Sequence, residues 1–502
     1  MNQGDRINDL PTEMLCKIFD YLSFEQQMMA TAVCHRWRKI LSSDWYIPRR
    51  RLCLCTCNLN GDSSLLERMK RYRAFTIKDS NKDEVEFLEP LRRFLFCSEV
   101  AAKIEDLRLE LFSYSLSDLL GGKDELHLPK LERISYLSSI WVEEDDSVQC
   151  NVIAPKLKTV ILEDSKQSGN PLIRSWNDQI ESLSVRFINK MLLFTTIGNL
   201  SFKNLTSLTL LSQQGCLLFR ETDFHASHLD IFRRLTYLKI SDEKNVFYWI
   251  YKLIFREAKN LETLIINGRK MNEEAFNLIN RLKKLKDLCL MVEIQRSQPV
   301  VRLSLPLLAS LITYAGSLVP LGSVPSLRSI SVRNYKQPWQ PYRLSEEAIH
   351  CAIFVPHIHT LKLSKLVLDS VFARNICAIT GLRALELMQV RMETKHLLKM
   401  FSLLKQMRRV RLEWCFLSEI ITAYETYSTD SSSTDNDDDL SDNDDERKKK
   451  NKGVAKLDCL QLLKVQYPAC RITSVHNREV RHLVRKQSIH QTFVLPQYWR
   501  PF

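Results

Sequence analysis

Glycine is scarce, at 12 of 502 residues, so loops that cradle phosphates on closely approaching backbone are not expected. No P-loop, G-x-G-x-x-G, G-x-S-x-G or H-E-x-x-H pattern occurs. The 14 cysteines are scattered singly, without paired C-x-x-C motifs. No signal-peptide pattern opens the chain, so free thiols in a reducing compartment are the expected setting, cytoplasmic or nuclear. Together these absences point away from an enzyme. No catalytic residue, metal site or cofactor is expected. One uncharged stretch, residues 303–327, is long enough to cross a bilayer, but Pro306, Pro320 and Pro325 interrupt it. A buried repeat explains it better than a membrane span.

Acidic residues are too few to balance the basic ones, and the net charge is +13. Nine of the acids lie within residues 430–446, with no base among them, so the remainder is more basic still. Such a balance raises nucleic acid as a partner. No nucleic-acid motif accompanies it, and solvating lysines and arginines on a repeat surface account for it equally. No nucleic-acid partner is expected.

What the chain does have is apolar patterning, first near its start. Met14, Leu15, Ile18, Phe19 and Leu22 recur at helical spacing. Pro11 stands where a missing N–H costs little, and Glu13 suits the first turn. Ser23 and Gln26 form a capping box that starts a second helix. Val33, Cys34, Trp37, Ile40 and Leu41 form a third apolar stripe. Three short helices bury little surface and leave apolar residues exposed, as binding sites do.

Residues 10–37, LPTEMLCKIFDYLSFEQQMMATAVCHRW, resemble the F-box, with Leu10-Pro11, Glu13, Ile18-Phe19, Tyr21-Leu22, Val33-Cys34 and Trp37 at the family spacing. The resemblance implies that Leu10, Pro11, Ile18, Phe19, Leu22, Val33 and Trp37 bind a Skp-type adaptor, and through it a cullin. There is one departure: Gln27 stands where many F-boxes carry Leu. Met28 and Met29 are then expected to supply the apolar contact.

The body of the chain repeats L-x-x-L-x-L with apolar substitutions. Copies start at Ile104, Leu131, Leu157, Ile180, Leu205, Leu235, Leu261, Leu285, Leu308, Leu327, Ile358, Leu382, Met407 and Leu457. Tyr72-Phe75-Ile77 is a degenerate earlier copy. Most spacings fall between 19 and 31 residues, with 50 before the last. This is the leucine-rich-repeat period. Each unit is a strand plus a return segment that buries its apolar face only against its neighbours. The return segment at 273–284, with Phe276, Ile279 and Leu282 at helical spacing, predicts helices on the convex side. The family often places Asn or Cys in the turn after the strand; here only Cys415 fits. An F-box followed by such repeats resembles the F-box/leucine-rich-repeat receptors of SCF-type ubiquitin ligases, which bind targets for ubiquitination and degradation.

The expected fold is α/β: a three-helix F-box at 5–46, a linker with a degenerate repeat at 47–103 and a leucine-rich-repeat solenoid at 104–424. An acidic and basic insert follows at 425–453, then a last repeat and cap at 454–502. A leucine-rich-repeat scaffold without a ligase role remains the alternative.

Between the repeat leucines, one position per unit points out from the concave strands. Ile265 and Ile312 lie in its apolar middle, and Arg408, Arg409 and Arg411 cluster near its end. Arginines so grouped suit carboxylate or phosphate. These five are the candidate target contacts; solvation or pairing with neighbouring repeats is the plainer reading of the arginines. In the insert, Ser432, Thr434 and Ser441 each have Asp three residues on, a pattern for an acid-directed kinase, and RKKKNK (447–452) is a nuclear-import candidate. Either the acidic loop folds back on Arg408–Arg411 or it is a tolerated surface loop. Cys53, Cys55 and Cys57 alternate on one strand face and are expected to be buried thiols.

Overall fold

The computed structural model describes residues 7–55, 67, 69–78, 88–111, 125–138, 152–164, 173, 175–187, 202–212, 226–242, 248–295, 302–315, 321–334, 342–343, 357–404, 406–418 and 471–475. The chain divides into two compact units, Met1–Lys244 and Asn245–Phe502.

The first unit opens with α1 (Thr12–Asp20), α2 (Phe24–Ala30) and α3 (His35–Leu41). Leu15, Phe19, Ala30, Ile40, Leu41 and Tyr46 form their core. Pro11 is the N-cap of α1, and the Ser23–Gln26 capping box is present at α2. Cys34 caps α3, its sulfur accepting from the Trp37 N–H at 3.5 Å.

A parallel sheet follows. Its strands are β1 (Arg51–Cys55), β2 (Ala74–Lys78), β3 (Asp106–Leu111), β5 (Arg133–Ser138), β7 (Thr159–Asp164), β8 (Ser182–Phe187), β9 (Ser207–Ser212) and β10 (Tyr237–Asp242). Each pairs in parallel with the next in that order. Short β4 (Leu126–His127) and β6 (Val152–Ile153) pair separately. The return segments include α4 (Leu88–Phe96), α5 (Ser98–Ala101) and α6 (Ala226–Arg234). The register explains the stacking: Leu107, Ile134, Val160, Leu183 and Leu208 occupy one continuous, buried row. Burying each such side chain contributes roughly 1.5–3 kcal/mol.

Within 47–103, expected as a linker and a degenerate repeat, β2 is the Tyr72-Phe75-Ile77 copy and β1 adds a further strand to the sheet. The cysteine expectation also changes. Leu54 is the buried residue of β1, while Cys53 is exposed and Cys55 half-buried. Cys57 lies outside the described residues.

The second unit carries the same construction. Its main row is β11 (Thr263–Asn272), β12 (Asp287–Gln295), β13 (Ser310–Tyr314), β14 (Ser329–Arg333), β16 (Thr360–Ser364), β18 (Ala384–Met388), β20 (Arg409–Ser418) and β21 (Arg471–Val475). All pairs are parallel. Leu264, Leu288, Leu311, Ile330, Leu361, Leu385 and Val410 align as its buried row. The uncharged stretch 303–327 thus contains a sheet strand, β13, and among the described residues no helix is long and apolar enough to cross a membrane.

Helices α7 (Tyr248–Glu257), α8 (Glu273–Ile279), α9 (Ser370–Cys377) and α10 (Thr394–Leu403) return the chain between strands. Phe276, Ile279 and Leu282 are all buried. Asp369 caps α9, its carboxylate accepting from the Phe372 N–H at 3.0 Å.

A second, short parallel ladder was not expected. It comprises β15 (Tyr342–Arg343), β17 (Leu366–Leu368), β19 (Arg391–Glu393) and the end of β20. Left-handed residues make the corner into it: Lys365 at φ 58° and Gln389 at φ 54°. The strand that continues the row after β20 is Arg471–Val475, not the copy expected at Leu457, which lies outside the described residues together with the 425–453 insert.

Candidate functional site

The N-terminal module separates its apolar residues into an inner and an outer set. Leu15 and Phe19 on α1, and Leu22 just after it, face the core, and Phe19 meets the Trp37 ring edge-on at 5.1 Å. The neighbouring stripe, Met14, Ile18 and Tyr21, is exposed, Tyr21 at 91%. Met28, Met29 and Val33 continue that exposure past the end of α2. Twelve large apolar side chains are exposed among the described residues, and eight of them lie between Ile7 and Trp45. Isolated exposed apolar residues mean little, but this concentration marks a contact surface.

Hydrogen bonds hold that surface in shape. Arg36 donates to the Asn8 carbonyl and, at 2.7 Å, to the Leu10 carbonyl, so the segment carrying Leu10 and Pro11 is tied to α3. The Tyr46 hydroxyl donates to the Cys16 carbonyl at 2.8 Å. Burial first, and then Cys16 and Asp20, push that phenol above its ordinary value. Gln27 donates to the carbonyls of Phe19 and Leu22.

The predicted adaptor residues divide accordingly. Pro11, Ile18 and Val33 are exposed; Leu10, Leu22 and Trp37 are half-buried. Phe19, at 1% exposure, is enclosed by Trp37 and Tyr46, so it builds the module rather than offering a contact. Met14, Tyr21 and Met29 are the exposed residues that the motif positions did not include. Their position on the stripe beside Leu15–Phe19–Leu22 was the available signal.

The F-box-like family model matches residues 7–54. These residues are an F-box-like domain. A comparison with curated proteins found no match. Among solved structures, the chain is similar to a chain of the mouse RP105/MD-1 complex, at 11% identity and a TM-score of 0.41, covering 75% of this chain and 72% of that one. An internalin from Listeria monocytogenes gives 12% identity and a TM-score of 0.32, covering 79% and 90%. A chain of the Drosophila Toll–Spatzle complex gives 13% and 0.37, covering 73% and 43%. Each unit is a parallel sheet with one strand per repeat period and helical return segments, the leucine-rich-repeat architecture.

Beyond the F-box-like domain, the sheet aligns the outward positions as the repeat pattern predicts. Ile265, Cys289, Ile312, Ser331, Lys362, Glu386 and Arg411 stand in consecutive register. The next place belongs to Arg471, not to the expected Gln461. The three arginines do not form one claw. Arg411 lies in the central row, Arg409 one row aside, and Arg408 precedes the strand. On the neighbouring strand, buried Glu386 stands between Lys362 and Arg409, 3.0 Å from the ammonium and 3.9 Å from the guanidinium. Charge on this face is thus partly neutralised. Among the described residues no group of His, Cys, Asp and Glu could hold a metal ion. Ser432, Thr434 and Ser441 lie outside the described residues.

Proposed function

We propose that this chain is the substrate-recognition subunit of an SCF-type ubiquitin ligase. F-box domains generally bind Skp-type adaptors. Here the F-box-like domain would hold the adaptor, and through it the cullin, while the repeats hold a protein target for ubiquitination and degradation. The role is non-catalytic: the receptor supplies proximity between the target and a charged enzyme. The observation that carries the reading is the exposed apolar surface of Met14, Ile18, Tyr21, Met28, Met29 and Val33 on a module whose core is otherwise complete.

Co-purification with a Skp-type adaptor tests it. The intact chain should capture the adaptor. Leu10→Ala with Pro11→Ala, and separately Ile18→Asp with Val33→Asp, should lose it. The second pair alters exposed residues only, so the fold survives. No capture by the intact chain would favour a repeat scaffold without a ligase role.

A further inference from the structure

On the side where the strands begin, each repeat presents one residue whose carbonyl accepts two N–H groups from the next repeat. In the second unit this ladder runs through Glu262, Lys286, Ala309, Arg328, His359, Arg383 and Arg408. The N–H groups of His359 and Thr360 donate to Arg328 at 2.8 and 2.9 Å, those of Arg383 and Ala384 to His359 at 2.9 Å, and those of Arg408 and Arg409 to Arg383 at 2.7 and 3.0 Å. These bonds hold successive rim residues at strand spacing, about 4.8 Å.

Three neighbouring pairs of opposite charge on these ladders form ion pairs. Lys286 lies 2.9 Å from Glu262. In the first unit Arg73 pairs with Glu105, and Lys158 with Glu181, each at 2.9 Å. From Arg328 onward the run is Arg, His, Arg, Arg. Among the described residues, no carboxylate pairs with Arg328, Arg383 or Arg408. Arg328 donates to the carbonyls of Pro325 and Leu327. Arg383 and Arg408 are exposed. Like charges directly opposite across strands are destabilising, so an unneutralised column calls for an external anion. His359 feels the same field: burial first, then Arg383, Arg328 and His357, hold it below the ordinary imidazole value.

We propose that this rim binds a phosphorylated segment of the target, with Arg383 and Arg408 donating to the phosphate and Arg328 and His359 extending the cationic track. The proposal rests on the reading of the chain as a target receptor. Two adjacent guanidinium forks offer more donors than one carboxylate accepts, whereas a phosphate brings three acceptor oxygens and nearly two charges.

The test uses the full chain and two fluorescein-labelled peptides, one carrying two phosphoserines and one of the same sequence unphosphorylated. Anisotropy should show binding of the phosphopeptide alone. Arg383→Glu with Arg408→Glu should weaken it by at least about tenfold, as expected for losing charge-assisted hydrogen bonds. The milder Arg383→Gln, Arg408→Gln pair guards against a folding defect and should weaken it in the same direction. Lys283→Glu with Lys284→Glu, the same charge change at other exposed positions, should leave it within about twofold of the intact chain. Residues 430–446 are a rival anion in the same chain, so a negative result is repeated with them deleted; binding that then appears, and is lost in the Arg383/Arg408 variants, supports the rim. No binding in either form, equal binding of both peptides, or equal loss in the lysine variant overturns it. Peptide binding does not depend on adaptor capture, so either reading can fail alone.

Discussion

The side-chain amide of Gln27 donates to the carbonyl oxygens of Phe19 at 3.0 Å and Leu22 at 3.3 Å. Helix α1 ends at Asp20, where the Phe19 carbonyl also accepts from the Leu22 N–H at 3.0 Å. Gln27 reaches across from α2, adds a second donor to Phe19 and bonds Leu22 just past the helix. The residue that departs from the F-box pattern is thus a cap on the helix that carries Ile18 and Tyr21. Gln27→Ala should lower stability by about 1 kcal/mol, read as a shifted denaturant midpoint. Gln27→Leu should lose the same bonds without restoring stability.

Cys415, which lies within β20 rather than in the expected turn, makes a second prediction. Cys415 is buried, and its thiol donates to the Leu387 carbonyl of the preceding repeat at 3.3 Å. Cys415→Ala should destabilise by about 1 kcal/mol, while Cys415→Ser retains a donor and loses less. Chemical denaturation of the two variants checks the order.

Glu386 is buried between two cations that are each about half exposed. Solvent therefore screens the pair, and Glu386→Ala should cost only about 1 kcal/mol. By contrast Leu361→Ala, in the fully buried row beside it, should cost about 2–5 kcal/mol.

His359 sets a pH dependence. Its folded-state value lies below the unfolded one. The unfolded chain therefore binds the proton more readily, and this contribution to stability, full above the ordinary imidazole value of about 6.5, is lost as pH falls from there through the lower folded value. His359→Gln should remove that dependence. In the folded protein, imidazole titration followed by NMR should place His359 below ordinary histidines, and added phosphopeptide should move it up.

Much of this was legible in the chain itself. Repeat leucines at fixed period implied both the strands and the order of outward residues, because one-strand-per-repeat stacking leaves no freedom in register. The Ser23–Gln26 capping box was legible because its chemistry is local, and Cys415 because the repeat register marks its place. The roles of Gln27 and Arg36 were not, since each depends on a carbonyl eight or more residues away. The cationic rim was hidden for a similar reason: Arg328, His359, Arg383 and Arg408 are 24 to 31 residues apart in sequence and adjacent only through the ladder. Strand β1 was legible as a strand from its alternating cysteines, but not as part of the repeat sheet, because Arg51–Cys55 lacks the repeat pattern.

Adaptor capture is the most direct test of the central claim. The intact chain, the Ile18→Asp, Val33→Asp variant and a Lys283→Glu, Lys284→Glu control should be purified with a Skp-type adaptor. The account predicts a stable complex for the intact chain and the control, and none for the apolar-surface variant. Equal capture by all three, or by none, would contradict it.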